Sequence, residues 1–151
     1  MFRHFARILL IGALGTALTI VATPVAVAQE PPVITASLTG NATLIAKGAA
    51  VDVEVLYSCS SESPESIGFA SVNVFSLTQS VRGGRLATGS GGSGGIVSLV
   101  CDGAEHLAVD RVTADGDNAF KKGDAVARGV ATVCDEVSCT SAPFSGTVRI
   151  R

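Results

Sequence analysis

Residues 50–59 read Ala50-Val51-Asp52-Val53-Glu54-Val55-Leu56-Tyr57-Ser58-Cys59. Val51, Val53, Val55, Tyr57 and Cys59 fall on one face, and Asp52, Glu54 and Ser58 on the other. A period of two places successive side chains on opposite faces, so this is a strand with one buried and one wet face. The rest of the chain repeats the theme in shorter runs.

Upstream, Val33 to Leu38 and Thr43 to Ala46 form two short apolar runs divided by Gly40-Asn41. Downstream, Ser60 to Ser66 is a polar loop. Phe69 to Gln79 is rich in β-formers, with its alternation broken at Val74-Phe75, which predicts a bulge or burial on both sides. Gly83-Gly84 and Gly89 to Gly95 read as flexible connections. Ile96 to Cys101 predicts a strand with Val97, Leu99 and Cys101 on one face. Leu107 to Thr113 predicts another. Ala125 to Cys134 is a strand with Ala125, Ala127, Gly129 and Ala131 on one side, and Thr147 to Arg151 closes the chain with Val148 and Ile150 inward. Apolar runs closed by Gly, Asn, Asp and Pro argue for strands and against helices. The expected fold is all-β, an immunoglobulin-like antiparallel β-sandwich of about seven to nine strands.

The N-terminus reads as an export signal. Arg3 and Arg7 precede an uncharged run from Ile8 to Val21, Thr23-Pro24 breaks it, and Ala26-Val27-Ala28 supplies small residues for a peptidase. A spanning helix wants roughly 20 apolar residues, and Pro24 with the small-residue end argues for cleavage after Ala28 instead. The expected organisation is a signal peptide over 1–28, a polar leader over 29–32 and one domain over 33–151, secreted and without stable membrane insertion. A domain of this length buries roughly two thirds of its unfolded surface.

Cleavage leaves nine bases against 13 acids, a net formal charge of −4. On that balance no basic patch is expected, and nucleic acid and anionic membranes are poor partners. There is no tryptophan and one tyrosine, Tyr57, so aromatic platforms for sugars or bases are lacking.

The four cysteines, Cys59, Cys101, Cys134 and Cys139, allow three pairings. Cys59 and Cys101 are in phase with the apolar faces of their strands. Cys134 is out of phase with the small-residue face of its own, and Cys139 follows after Asp135-Glu136-Val137-Ser138. Strand phase favours Cys59–Cys101 in the core and Cys134–Cys139 as a clasp across a hairpin. The alternative joins Cys59 to Cys134 and leaves Cys101 for Cys139. Zinc is disfavoured because CxxC spacing is absent and export favours oxidation.

Other candidate sites are thin. Gly91-Gly92-Ser93-Gly94-Gly95 matches a G-x-S-x-G nucleophile elbow in letters only, since a strand, not a helix, is expected after it. His106, beside Glu105, is the one histidine after cleavage and has no evident nucleophile to serve. Asp115-Gly116-Asp117-Asn118 clusters oxygen ligands without the further bidentate acid a calcium loop needs, Asp124 being out of register, and reads as a polar turn feeding Phe120 into the core. Asp135 and Glu136 pair two carboxylates in the clasp, where exposed acids of ordinary acidity do no acid–base work. Asn41-Ala42-Thr43 is a glycosylation triplet. No catalytic residue, metal ligand or cofactor is expected, and no ligand-binding residue is assigned.

Several stretches resemble an uncharacterised class of small secreted actinobacterial proteins. They are Leu77-Thr78-Gln79 followed by Gly83-Gly84-Arg85-Leu86-Ala87-Thr88-Gly89, Val100-Cys101-Asp102-Gly103, Phe120-Lys121-Lys122-Gly123-Asp124-Ala125, and Cys134 through Cys139 to Thr147-Val148-Arg149. The resemblance covers residues 50–151. It implies an immunoglobulin-like sandwich and carries no activity. Where such proteins often place an aromatic after the Cys-Asp-Gly turn, this chain has Glu105-His106-Leu107. A looser resemblance, of architecture only, is to neocarzinostatin-like apoproteins, exported domains with two disulfides. The expected function is a non-enzymatic secreted module that binds an extracellular protein or small molecule. The alternatives are a small-molecule carrier of the neocarzinostatin kind and a hydrolase inhibitor using the Cys134–Cys139 loop as bait.

Overall fold

The computed structural model describes residues 30–61, 67–92 and 99–151. The expected signal peptide and its cleavage site, most of the polar loop after Ser60, and Ser93 with Gly94 and Gly95 lie outside the described residues. Within them the chain forms seven strands: β1 (Val33–Ile45), β2 (Ala50–Ser60), β3 (Phe69–Val81), β4 (Arg85–Ser90), β5 (Glu105–Ala114), β6 (Gly123–Cys134) and β7 (Cys139–Ile150). One 3-10 turn, Ala46–Gly48, joins β1 to β2.

The strands close into a barrel in the order β1-β2-β5-β4-β3-β6-β7, with β7 returning to β1. This corrects the expected sandwich: its two sheets would have stayed separate, whereas here both edges are joined. One seam is the parallel pairing of Asn41 with Arg149 and Ala42 with Ile150, reinforced where Leu44 N–H donates to Arg151 O and Arg151 N–H donates to Ala42 O, both at 3.0 Å. The other is the antiparallel pairing of Gly89 with Ala114 and Ser90 with Thr113.

Local sequence makes both seams possible. The two runs expected upstream of residue 50 are one strand with a register shift between Leu38 and Ala42. Gly40 sits in that shift at φ 83°, a left-handed conformation that glycine adopts without a Cβ clash. The irregularity bends β1, so its first part pairs only with β2 and its later part also meets β7. At the second seam, Gly89 lets β4 approach β5: a Cβ there would stand 2.5 Å from Thr113 O and 2.9 Å from the Phe120 ring. No strand is expected over β4, because glycines that read as flexible lie just before it, at Gly83-Gly84, and within it, at Gly89; it is nonetheless a strand of six residues whose Ala87 and Gly89 face inward.

Three further expectations hold and one does not. The alternation in β2 is as read, with Val51, Val53 and Val55 wholly buried. β3 bulges between Asn73 and Ser76, burying Val74 and exposing Phe75. The small-residue face of β6 is inward. The strand expected over Ile96 to Cys101 is not found at residues 99–101, although Leu99 and Cys101 pack against the core as their phase implied. The packed domain starts at Pro32, which is fully buried. Phe120 enters the core from the loop between β5 and β6 and is also fully buried. Burying a side chain of this kind is worth about 1.5–3 kcal/mol, so these inward faces carry the fold.

Past the end of β4, strands β5 and β3 are tied directly. Asp110 Oδ2 accepts the Val74 N–H, and the Gly91 N–H donates to Val74 O at 2.8 Å. Burial pushes the Asp110 carboxyl above the usual range, against the opposing effect of the Val74, Arg111 and Gly92 N–H groups.

Candidate functional site

The cysteines pair as strand phase favoured, Cys59 with Cys101 and Cys134 with Cys139. The second pair spans facing residues at the start of the β6–β7 hairpin. Its turn is tightly held. Asp135 Oδ1 accepts the N–H groups of Val137 at 2.8 Å and Ser138 at 2.6 Å, which holds the Asp135 carboxyl below the usual range. The ordinary acidity expected of that acid is therefore corrected, and the shift is structural. Val137 at the tip is 80% exposed.

His106 is engaged locally. Its ring stacks on Tyr57 at 5.6 Å between centroids, and Nε2 lies 2.8 Å from Asp102 Oδ1. The Asp102 carboxyl is held low by that contact and by the Ala104 N–H. The Tyr57 hydroxyl accepts the Val100 N–H at 3.1 Å. Together with Cys59–Cys101 these contacts dock residues 99–106 on the end of β2. Ser93, the partner a hydrolase would need, lies outside the described residues.

The acidic turn after β5 is also structural. Asp115 Oδ1 accepts the Ser90 hydroxyl at 2.9 Å, and Asn118 Nδ2 donates to Leu86 O at 3.1 Å. Among the described residues no group of three or more His, Cys, Asp or Glu side chains could hold a metal ion. Asn41 and Thr43 of the glycosylation triplet flank buried Ala42 in β1, at the seam with β7.

What the sequence did not reveal is a cleft of about 620 Å3 at one end of the barrel. The β3–β4 hairpin forms one wall, contributing Arg82 and Arg85. The β5–β6 loop and the start of β6 form the other, contributing Asp117, Lys121, Lys122 and Asp124. The second wall is fixed at three points. Phe120 plugs the core, its N–H donating to Gly48 O at 2.9 Å, and Asn118 ties the loop to β4. Gln79 supplies the third. It is 3% exposed, the one buried polar side chain among the described residues, and its amide donates to Lys121 O and accepts from Lys121 N–H, both at 2.8 Å.

The charge on these walls runs against the whole chain. Four of the chain's 11 Lys and Arg residues line the cleft, with two carboxylates beside them. One of those, Asp124, is paired with Arg149 at 2.8 Å on the outer face of β6 and β7. The expectation drawn from net charge, that no basic patch remains, does not hold locally. Arg82 and Arg85 are 36 or more residues from the two lysines in sequence, and only the hairpin and loop bring them to one cleft.

No family model matches this chain, and no curated protein matches its sequence. Among the described residues no helix is long and apolar enough to cross a membrane.

Proposed function

We propose that this chain is an exported, non-catalytic binding module whose ligand seats in the cleft between the β3–β4 hairpin and the β5–β6 loop. The observation that carries the reading is the cleft itself. Its volume of about 620 Å3 falls within the range of small-molecule sites, roughly 300–1,000 Å3. Its walls are already held by Phe120, Asn118 and Gln79, so little ordering remains for a ligand to impose, and preorganisation of that kind favours affinity. The two disulfides agree with an oxidising compartment, where such bonds persist. Among the alternatives the cleft favours a small-molecule carrier. His106 and the acidic turns have structural partners, which supports a module without chemistry of its own.

Thermal unfolding of the oxidised protein against a panel of neutral and charged small molecules tests this. A ligand at 100 times its Kd stabilises by about 2.7 kcal/mol, and each kcal/mol raises Tm by about 4 °C in a domain of this size. A panel that leaves Tm unmoved would remove the carrier.

The β6–β7 turn supports a second reading, the protease inhibitor. Val137 is offered at the tip of a turn clasped by Cys134–Cys139 and capped by Asp135. Rigid exposed loops lose little entropy on docking. Inhibition of a secreted protease, abolished by Val137→Asp, would favour it over the carrier.

A further inference from the structure

The cleft names the chemistry of its ligand. We infer that it binds a small organic anion carrying phosphate, sulfate or carboxylate groups, held by Arg82 and Arg85 on one wall and Lys121 and Lys122 on the other. The inference rests on the binding-module reading and adds the ligand class to it.

Three observations converge. The first is the concentration of charge. The mature chain is acidic, yet four cations meet at one cleft whose acids are Asp117 and Asp124, the latter already engaged by Arg149. Like charges repel across such a site, and an anion placed among them relieves that repulsion. The second is that none of the four has an ion-pair partner among the described residues; outside the cleft Lys47, Arg128 and Arg151 are unpaired as well, but two cations are paired. Arg111 is bound bidentate by Asp52, with contacts of 2.7 and 2.9 Å, and Arg149 is bound by Asp124. Carboxylates for pairing exist on this surface, but just one beyond Asp124 lines the cleft. The third is the type and placement of the bases. Arg presents a planar fork of donors that matches phosphate, sulfate or carboxylate in two contacts, and Lys supplies a compact point charge. Two of each, on opposing walls, can grip an anionic group from two sides. The Lys121 backbone is held by both atoms of the buried Gln79 amide, which fixes the origin of that wall.

A volume of about 620 Å3 suits a molecule of metabolite size and not a long polymer. Val81 and Ala119, with the stems of the long cations, leave apolar surface for its uncharged part.

The test is a titration of the oxidised protein with pyrophosphate and, separately, with citrate at constant ionic strength, read by backbone amide chemical shifts. Saturable shifts confined to residues 79–86 and 117–124 are expected. Arg82→Gln/Arg85→Gln should weaken the Kd about tenfold or more, and Lys121→Gln/Lys122→Gln likewise, since each pair removes charge-assisted hydrogen bonds. Arg128→Gln, which removes an exposed cation of β6 outside the cleft, should leave it unchanged. All these side chains are exposed, and Tm checks that each variant is folded. No saturation by about 10 mM, the weak end of specific recognition, overturns the inference. So does weakening by Arg128→Gln equal to that of the cleft pairs. A third arm uses a long heparin: binding by heparin alone would mark the patch as a polymer surface and also overturn the proposal. Neutral solutes that raise Tm, with shifts at the cleft while anions give none, would sink the anionic ligand and keep the binding module. An inert panel of both kinds would sink both.

Discussion

Gln79 and Asp110 are the residues whose importance the linear chain conceals. Gln79→Ala would leave the part-buried N–H and carbonyl of Lys121 without their side-chain partner, so the cost should fall at the low end for such groups. Unsatisfied buried groups cost about 1–3 kcal/mol each, so the variant should lose several °C in Tm and show faster amide exchange at residues 119–122. Unchanged exchange there would mean that Phe120 and Asn118 hold the loop alone. Asp110→Ala should likewise cost about 1–3 kcal/mol by stranding the Val74 N–H. Its pH dependence has a definite sign. The folded carboxyl is pushed up, mainly by burial, so the folded state binds a proton more tightly than the unfolded chain. That contribution is full below the unfolded value of about 3.9 and is lost as pH rises through the folded one. The stability gap between wild type and Asp110→Ala should therefore shrink as pH rises from about 3.5 to 7. Urea unfolding across that range measures it, and a gap that widens with pH would contradict the burial argument.

At the scale of elements, two seams and two disulfides can be separated experimentally. Gly89→Val would drive a branched side chain into Thr113 O and the Phe120 ring, breaking the β4–β5 seam. Overpacking of this kind costs about 1–3 kcal/mol or more, and the loss should appear first as exchange at residues 85–90 and 113–115. The disulfides should contribute unequally. Cys59 and Cys101 are 42 residues apart, for which chain entropy gives roughly 4 kcal/mol, and Cys134 and Cys139 are five apart, for which it gives roughly 2 kcal/mol. Cys59→Ala/Cys101→Ala should leave the domain marginal, since net stabilities run about 5–15 kcal/mol. Cys134→Ala/Cys139→Ala should loosen a hairpin that β6–β7 pairing along its whole length still holds. Denaturant unfolding of both double mutants settles the order.

For the whole molecule, the described residues form one closed sheet around one core, so unfolding should be a single cooperative transition. Closure pairs the edges only at the two short seams, which shortens the open edges through which sheet proteins associate. The export reading makes a separate prediction: intact mass of the exported protein should correspond to a chain beginning at Gln29. A chain that keeps Ile8 to Val21 would make the domain membrane-tethered and would restrict its ligands to those at that surface.

Much was legible from the chain alone because it depends on neighbours in sequence. The period of two in residues 50–59 set which side chains are buried, the broken alternation at Val74-Phe75 marked the bulge, and strand phase chose the disulfide partners from three possibilities. Each follows from the pleat, which alternates faces whatever the strand's partners are. The closure of the barrel was not legible. Alternation tells inside from outside, but a sandwich and a barrel share the same inside and differ in which edges meet. Here that difference rests on a few pairings at residues 41–42 with 149–150 and at 89–90 with 113–114, spread across the chain. The cleft was hidden for the same reason. Net charge sums the chain and erases position, while Arg82, Arg85, Lys121 and Lys122 become one surface only when Gln79 and Phe120 bring the β5–β6 loop against the β3–β4 hairpin.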